Sequence, residues 1–430
     1  MTAAYQAIGV LVLGAVVLLI LVGRVSARPR IGALIGLPFA IVGAILGLQA
    51  QQPLSLAVVA LCAVGGVALL LVPVLEPEVP GHVAEAAALL LLGTGGAIAL
   101  ASATDLLQAV VGLETLALSA VTLVALGAGD RALEAAFKYL VLGAISLAGL
   151  LYGLGLVFVA TGSLAFPGGA EISSYPLALA GVVLVGMAFA FELALFPFHW
   201  GALDAYTAAA PSLAGFVMST SKLAAAFALG RLVLAAGVQV GQILVWVGCL
   251  TIVWGTFGAI GQAADLRRML AYSAVTHAGF IGLALGSGSN GPTTAAFYAA
   301  VYGSMAMLVF AALAAQREPQ VRTLGPLRGI ALGLGLFSLS GIPPTPGFWA
   351  KLAVLVVAWQ AAGPLPTLIA VAGGVFSVLY YLRPLPELFA AVRGEGVTRP
   401  VVVPGVLVAA LAVVGLGLFP SIAWTLARGG

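Results

Sequence analysis

The chain has 430 residues, of which 62% are hydrophobic and only 7% are charged. A soluble domain carries roughly 25% charged residues, so this composition excludes a soluble enzyme, a nucleic-acid-binding protein and a disordered scaffold. The net charge of +3 is too small for a phosphate-binding face. The two cysteines, Cys62 and Cys249, lack the spacing of a metal or iron–sulfur site. The expected solvent of this chain is therefore lipid.

Apolar runs follow one another along the whole sequence. A transmembrane helix needs about 20 apolar residues, and these runs are continuous rather than alternating, which favours helices. The sequence therefore predicts an all-α polytopic membrane protein with a single transmembrane domain over 1–430. We count fourteen stretches, at 5–23, 31–49, 54–75, 83–103, 105–127, 132–160, 175–208, 211–236, 239–263, 269–287, 292–315, 326–361, 364–390 and 401–426.

Arginines are concentrated in the connections that follow odd-numbered stretches. Cytoplasmic loops carry an excess of basic residues, so these connections are predicted to face the cytoplasm and both termini the opposite side. A bacterial inner (plasma) membrane is the expected location. The arginines concerned include Arg24, Arg28, Arg30, Arg131, Arg267, Arg268 and Arg317.

Lysine is rare, and its positions differ from those of arginine. Lys138, Lys222 and Lys351 all lie within predicted helices, as do the carboxylates Glu114 and Glu192. An ionised side chain at the centre of a bilayer costs about 2.5–3.5 kcal/mol on insertion scales, so such residues face protein or water where a site needs them. Unlike arginine, lysine loses its proton readily when buried. These residues are therefore predicted to form a proton relay, and the alternative is a set of static ion pairs that fix helix register.

Two histidines are further candidate proton carriers because imidazole titrates near neutral pH. His199 follows Pro197 at a helix break, and His277 lies among small hydroxyl-bearing residues in AYSAVTHAGF. Either of them could equally be a packing residue. His82 lies in a loop and is not predicted to take part.

The seventh and twelfth stretches contain proline-rich interruptions, at 196–206 and 340–351. Proline removes a helical hydrogen bond, and unwound backbone at membrane depth is tolerated only where protein or a wet cavity satisfies it. Transporters place such breaks at ion sites, in corresponding positions of two repeats. Since the breaks are five helices apart, we predict two inverted five-helix repeats, 83–236 and 239–390.

Four segments of the chain have distinctive sequences, namely AAFKYLVLGAISLAGLLYGLGLVFVATGSL (135–164), FPFHWGALDAYTAAAPS (196–212), RRMLAYSAVTHAGFI (267–281) and FSLSGIPPTPGFWAK (337–351). These segments resemble the N-subunit family of bacterial NADH:quinone oxidoreductase, or respiratory complex I. Together they are typical of the group that also contains the Mrp-type cation/proton antiporters.

The resemblance implies fourteen helices with two inverted repeats and one proton channel driven by quinone reduction elsewhere in the complex. It assigns relay roles to Glu114, Lys222 and Lys351. It also implies no cofactor in this chain; quinone, flavin and iron–sulfur clusters are expected in partner subunits of the same membrane complex. The chain departs from the family at Glu192, where lysine is usual. Two nearby acids cannot both ionise easily, so either one stays protonated or Glu192 pairs with Lys222.

The proton is expected to enter from the cytoplasmic side, reach Lys222, cross near His277 and leave through Lys351. Three alternatives stay open from sequence alone. The chain could be a Mrp-type sodium/proton antiporter module, the equivalent subunit of a membrane-bound hydrogenase, or a non-conducting membrane scaffold.

Overall fold

A computed structural model describes residues 2–51, 53–168, 172, 175–315, 321–395 and 399–428, and Arg317 lies outside this part. The main helices are α1 (Thr2–Ile20), α2 (Val22–Ala27), α3 (Pro29–Leu48), α4 (Leu54–Leu70), α5 (Val83–Ser102), α6 (Leu106–Ala125), α7 (Asp130–Thr161), α8 (Pro176–Leu193), α9 (Trp200–Ala208), α10 (Pro211–Ala236), α11 (Val238–Gly261), α12 (Leu266–Leu285), α13 (Gly291–Leu313), α14 (Pro326–Ser340), α15 (Pro346–Ala361), α16 (Pro364–Tyr381), α17 (Leu385–Ala390), α18 (Val403–Leu418) and α19 (Pro420–Arg428).

All fourteen predicted stretches are helical, which confirms the all-α polytopic fold class. Within the described residues, twelve helices are long and apolar enough to cross a membrane, two fewer than predicted. The stretch 269–287 forms α12, which falls outside those twelve, and the stretch 326–361 is divided between α14 and α15. The count of fourteen spans therefore stays a prediction.

Helix ends follow the local sequence. Asp105 starts α6 by accepting a hydrogen bond from the backbone N–H of Gln108 at 2.8 Å. Asp265 does the same for the first N–H groups of α12. Proline in the first turn begins most of the remaining spans, because its missing N–H would have no helical partner there. α7 ends at Thr161 and is capped by Gly162, whose positive φ of 68° suits glycine.

Both predicted helix breaks are present, and they have the same local form. α8 ends at Leu193 and is followed by Ala194 in the left-handed conformation, at φ 63°. α14 ends at Ser340 and is followed by Gly341 at φ 86°. In each case proline follows before the next helix begins. The two breaks therefore lie where the proline pattern predicts them.

The helices differ greatly in how much of their surface is buried. The most apolar window of α10 is 100% buried and that of α13 is 94% buried, whereas that of α7 is 17% buried. α10 and α13 pack against each other at the centre, and α7 lies at the periphery. The first two helices of each predicted repeat also form close pairs, α5 with α6 and α11 with α12. This recurrence fits two repeats, which remain a prediction.

α7 and α8 approach closely because each has glycine at the crossing. A Cβ on Gly153 would lie 2.7 Å from the Gly181 carbonyl oxygen, and a Cβ on Gly181 would lie 2.6 Å from the Gly153 carbonyl oxygen. Lipid tails are as apolar as side chains, so such contact between small residues provides much of the association between membrane helices.

Replacing Gly153 by alanine is therefore expected to destabilise the α7–α8 pair by about 1–3 kcal/mol through overpacking. Gly155→Ala is the matched control, because it lies on the same helix and its Cβ would meet nothing within 4 Å. Thermal unfolding of the detergent-solubilised protein measures the difference. Equal unfolding temperatures for the two variants would contradict the close approach of α7 and α8 at Gly153.

Candidate functional site

Lys222 lies on α10 at the centre of the bundle and is fully buried. Its Nζ donates to the hydroxyl of Tyr206 on α9 at 3.2 Å, and it lies 4.7 Å from the centre of the same ring. Nζ is also 5.7 Å from the ring centre of Tyr302 on α13. Aromatic faces and a hydroxyl thus stabilise the ammonium, because they attract a cation that has left water.

Glu192 lies in the last turn of α8, next to the first helix break, and is 1% exposed. It is within electrostatic range of both Lys222 and the half-buried Glu114 on α6. Its Oε1 makes no hydrogen bond within the described part of the chain. The acid at the family's usual lysine position is therefore placed to interact with Lys222, as one of the two predicted schemes requires.

His277 on α12 connects three helices through tyrosine hydroxyls. Its Nδ1 is 2.7 Å from the hydroxyl of Tyr298 on α13, and its Nε2 is 3.1 Å from the hydroxyl of Tyr381 on α16. The hydroxyl of Tyr381 also makes a short hydrogen bond with Ser273. The ring of Tyr302 also faces Lys222, and its centre lies 4.9 Å from the centre of the His277 ring. Both imidazole nitrogens are therefore engaged, in line with the predicted central position.

Lys351 lies in α15, just after the second break, and is 8% exposed. Its Nζ donates to the Ser340 carbonyl at 2.7 Å and to the Ser377 hydroxyl at 3.2 Å. Ser340 is the last residue of α14, so the ammonium meets a free carbonyl at a negative helix end. The break thus provides an acceptor that a continuous helix would have used internally.

His199 is surrounded by aromatic rings at the first break. Its ring lies between 5.0 and 5.9 Å from the ring centres of Phe196, Trp200 and Trp254. Neither ring nitrogen has a hydrogen-bond partner among the described residues. The break itself is fixed from α11, because the Phe196 N–H donates to Thr251 Oγ1 at 3.0 Å.

Lys138 lies apart from the other predicted residues. Its side chain is 49% exposed and contacts Glu134 at 2.6 Å and Asp204 at 3.6 Å. These groups line a cavity of about 730 Å³ at the adjoining ends of α7, α9 and α12, together with Arg131, Asp265, Arg267 and Arg268. The structure thus puts Lys138 at a charged cavity mouth, so its predicted membership of the buried relay gains no support from its position.

Buried tyrosines are the functional candidates that the sequence interpretation missed. Tyrosine is common at membrane interfaces, so its presence alone carries little information. Tyr298 and Tyr302, however, are four residues apart in a predicted span and therefore share one helix face. This four-residue spacing is the feature of the sequence that indicates a shared tyrosine face. The hydroxyls and rings that surround Lys222 and His277 belong to Tyr206, Tyr298, Tyr302 and Tyr381.

The broken helices and the buried line of lysine, tyrosine and histidine define an antiporter-like membrane subunit. A family model described as "NADH:quinone oxidoreductase/Mrp antiporter, TM" matches residues 103–377. The chain is 35% identical to NADH-quinone oxidoreductase subunit N of Deinococcus radiodurans over 366 residues, which cover 79% of this chain and 74% of that protein. It is 37% identical to the same subunit of Cereibacter sphaeroides over 348 residues, covering 77% and 74% of the two chains.

Solved structures agree with these relatives. A chain of respiratory complex I from Thermus thermophilus with bound aureothin matches with a TM-score of 0.83 and 27% identity, covering 99% of this chain and 100% of that one. A chain of the Mrp complex from Dietzia has the same fold, with a TM-score of 0.84 at 20% identity and coverage of 99% and 96%. The chain belongs to the N-subunit family of NADH:quinone oxidoreductases, which confirms the predicted resemblance.

Thr251 is expected to hold the first break in place. Thr251→Val keeps the side-chain shape but leaves the partly buried Phe196 N–H without its acceptor, which should destabilise the protein by about 0.5–1.5 kcal/mol. Thr251→Ser keeps the hydroxyl and is the control. Thermal unfolding distinguishes the two, and equal stability of the valine and serine variants would show that this hydrogen bond is unimportant.

Proposed function

We propose that this chain moves protons across the membrane as subunit N of a complex I, driven by quinone reduction in partner subunits. The observation that carries this proposal is that buried aromatic side chains lie between Lys222, His277 and Lys351 across the middle of the bundle. The Tyr302 ring lies between Lys222 and His277. Lys351 Nζ lies 5.7 Å from the ring centre of Phe280, which stacks on Tyr298, the hydrogen-bond partner of His277. The redox cofactors belong, in this proposal, to the partner subunits. The chain lies in the bacterial inner membrane with both termini outside the cytoplasm.

The charged cavity at the ends of α7, α9 and α12 is the proposed proton entrance. Its carboxylates Glu134 and Asp204 can collect protons from the cytoplasm, and α9, which carries Asp204, also carries Tyr206 beside Lys222. A proton on Lys222 then passes through the Tyr302 region to His277. Phe280 and Tyr298 lie between His277 and Lys351, with stacked rings 5.7 Å apart.

Glu192 is the proposed switch. Ionised Glu192 attracts a proton to Lys222, and its neutralisation removes that attraction. Two unit charges about 7 Å apart, beyond the separation of a salt bridge, interact by about 2 kcal/mol at an effective dielectric constant of 20. Moving one charge across the membrane potential takes about 2.3 kcal/mol per 100 mV. A change at one neighbouring carboxylate is therefore of the size needed to drive a proton step against the potential.

A non-conducting scaffold is the second candidate. It is favoured by the static features of the site, namely the hydrogen bonds from Lys351 to Ser340 and Ser377 that would hold α14, α15 and α16 together. In a scaffold, charge removal harms assembly but leaves the pumping of each assembled complex unchanged. A sodium/proton antiporter module would instead move sodium when reconstituted.

The central test replaces Lys222 and Lys351 by methionine, one at a time, in the assembled complex. Each change removes an ammonium while keeping an apolar stem, so we expect fewer protons pumped per electron at near-normal electron transfer. Proton release and quinone reduction are measured together in reconstituted vesicles. Normal stoichiometry in both variants would refute the proposed relay.

Lys138→Met tests the remaining lysine. Lys138 is half-exposed and paired with two acids, and exposed ion pairs contribute little because water screens them. We therefore expect an unchanged proton stoichiometry in the same assay. A loss as large as that of Lys222→Met would instead put Lys138 on the conducting path.

Glu192→Gln tests the switch. The amide has the size of the acid but no negative charge, so Lys222 loses its attracting partner and pumping per electron should fall. Glu192→Asp keeps the charge and should retain more pumping than the glutamine variant. If Glu192→Gln pumps as many protons per electron as the wild type, the switch does not lie at this residue.

A further inference from the structure

Glu78 is a buried carboxylate that neither the relay nor the sequence interpretation includes. It lies in the connection between α4 and α5, outside the membrane-spanning helices, and is 5% exposed. Glu76, two residues earlier in the same connection, is exposed. A loop carboxylate normally stays in water, so the burial of Glu78 requires specific partners.

The two oxygens of Glu78 accept hydrogen bonds from two different helices. Oε2 accepts from the Ser212 N–H at 3.1 Å, in the first turn of α10. Oε1 accepts from the Ala315 N–H at 2.5 Å, just beyond the end of α13. The Glu78 carbonyl oxygen also accepts from the Ala128 N–H at 3.1 Å, after α6. One side chain thus joins the ends of α10 and α13.

Two arginines face Glu78 from the surrounding elements. Arg267 at the start of α12 is within electrostatic range, and its guanidinium donates to the Ala209 carbonyl, just before α10. Arg328 on α14 donates to the carbonyls of Ala312 and Ala314 at 2.8 and 2.5 Å. Asp265 faces Arg267, and Arg399 faces Arg328. The ionised form of Glu78 is therefore balanced mainly by Arg267 and the two N–H groups.

Burial raises the pKa of Glu78 from 4.5 to about 7, against the opposing effects of the hydrogen bonds from Ser212 and Ala315 and the charge of Arg267. Above that pH the carboxylate accepts on both oxygens. Below it, one oxygen carries a proton and becomes a donor, and a donor facing a backbone N–H weakens that contact. The contact is therefore strongest in the ionised form and weakens as the pH falls through neutrality.

We propose that Glu78 is a positioning residue for proton transfer, whose carboxylate holds the ends of α10 and α13 together and loosens one of them on protonation. α10 carries Lys222, and α13 carries Tyr302 and Tyr298, so the alignment of these two helices sets the crossing from Lys222 to His277. The inference rests on the proposed function. It makes the crossing dependent on the pH at the surface beside the charged cavity, which Arg267 also lines.

The test compares Glu78→Gln with Glu76→Gln in the whole complex. Both changes remove one charge from the same connection, but only the first removes the buried acceptor. Hydrogen exchange of the Ser212 and Ala315 amides is measured between pH 6 and 8 and corrected for intrinsic rates. Protection should rise with pH in the wild type and in Glu76→Gln. In Glu78→Gln it should be independent of pH and, at pH 8, about tenfold lower, as loss of a hydrogen bond to a charged acceptor implies.

Protons pumped per electron are measured on the same samples over the same pH range. The wild type and Glu76→Gln should share a pH-dependent component that Glu78→Gln lacks. Equal amide exchange in the two glutamine variants would overturn the inference whatever the pumping result. An exchange difference with identical pumping profiles would overturn the positioning role, while the lysine variants test the relay separately.

Glu78→Asp provides a second variant if the glutamine variant assembles poorly. Its carboxyl still titrates but is one methylene shorter, so protection of the two amides should be weaker yet still depend on pH. Protection in Glu78→Asp that does not change between pH 6 and 8 would overturn the inference.

Discussion

The need to satisfy every charged group inside a low-dielectric interior governs this structure. An ammonium at membrane depth has no water shell, so it must find carbonyls, hydroxyls, aromatic faces or carboxylates from the protein itself. Lys222 finds Tyr206 and Tyr302, and Lys351 finds Ser340 and Ser377. These partners come from different helices, so each buried charge also determines which helices must meet.

The helix breaks affect which backbone groups are free to contact these buried charges. A continuous helix uses all its carbonyls internally, whereas an interrupted one has free groups in its last turn. At the second break such a carbonyl receives the Lys351 ammonium, and at the first the acid Glu192 lies in the last turn before the interruption. The two breaks therefore have a similar backbone form beside opposite charges, and only the second gives its neighbouring charge a hydrogen-bond partner within the described residues. This difference follows from glutamate standing where lysine is usual in the family.

The sequence predicts the fold class well because each span is a long apolar run with little alternative to a helix. It also predicts the two breaks, since proline cannot continue a helix.

The central site is only partly predictable. Lysine and glutamate are conspicuous in an apolar segment, but tyrosine is not, so the residues between Lys222 and His277 are recognised only once the helices are packed. Lys138 shows a second limit of the sequence, because a helical position does not reveal which side of the helix meets water. The sequence does not indicate the burial of Glu78, because a carboxylate in a loop is ordinarily exposed to water.

The length of α7 has a consequence for where the bilayer surface lies. Its 32 residues amount to about 48 Å of helix at 1.5 Å per residue, while the hydrocarbon core is only about 30 Å thick. The peripheral helix must therefore tilt or project beyond the lipid tails by several turns. Projection of the first three turns of α7 would raise Lys138 and its acidic neighbours to the level of the lipid headgroups. Lys138 there reaches water, whereas the other two lysines are enclosed by protein at the depth of the bilayer.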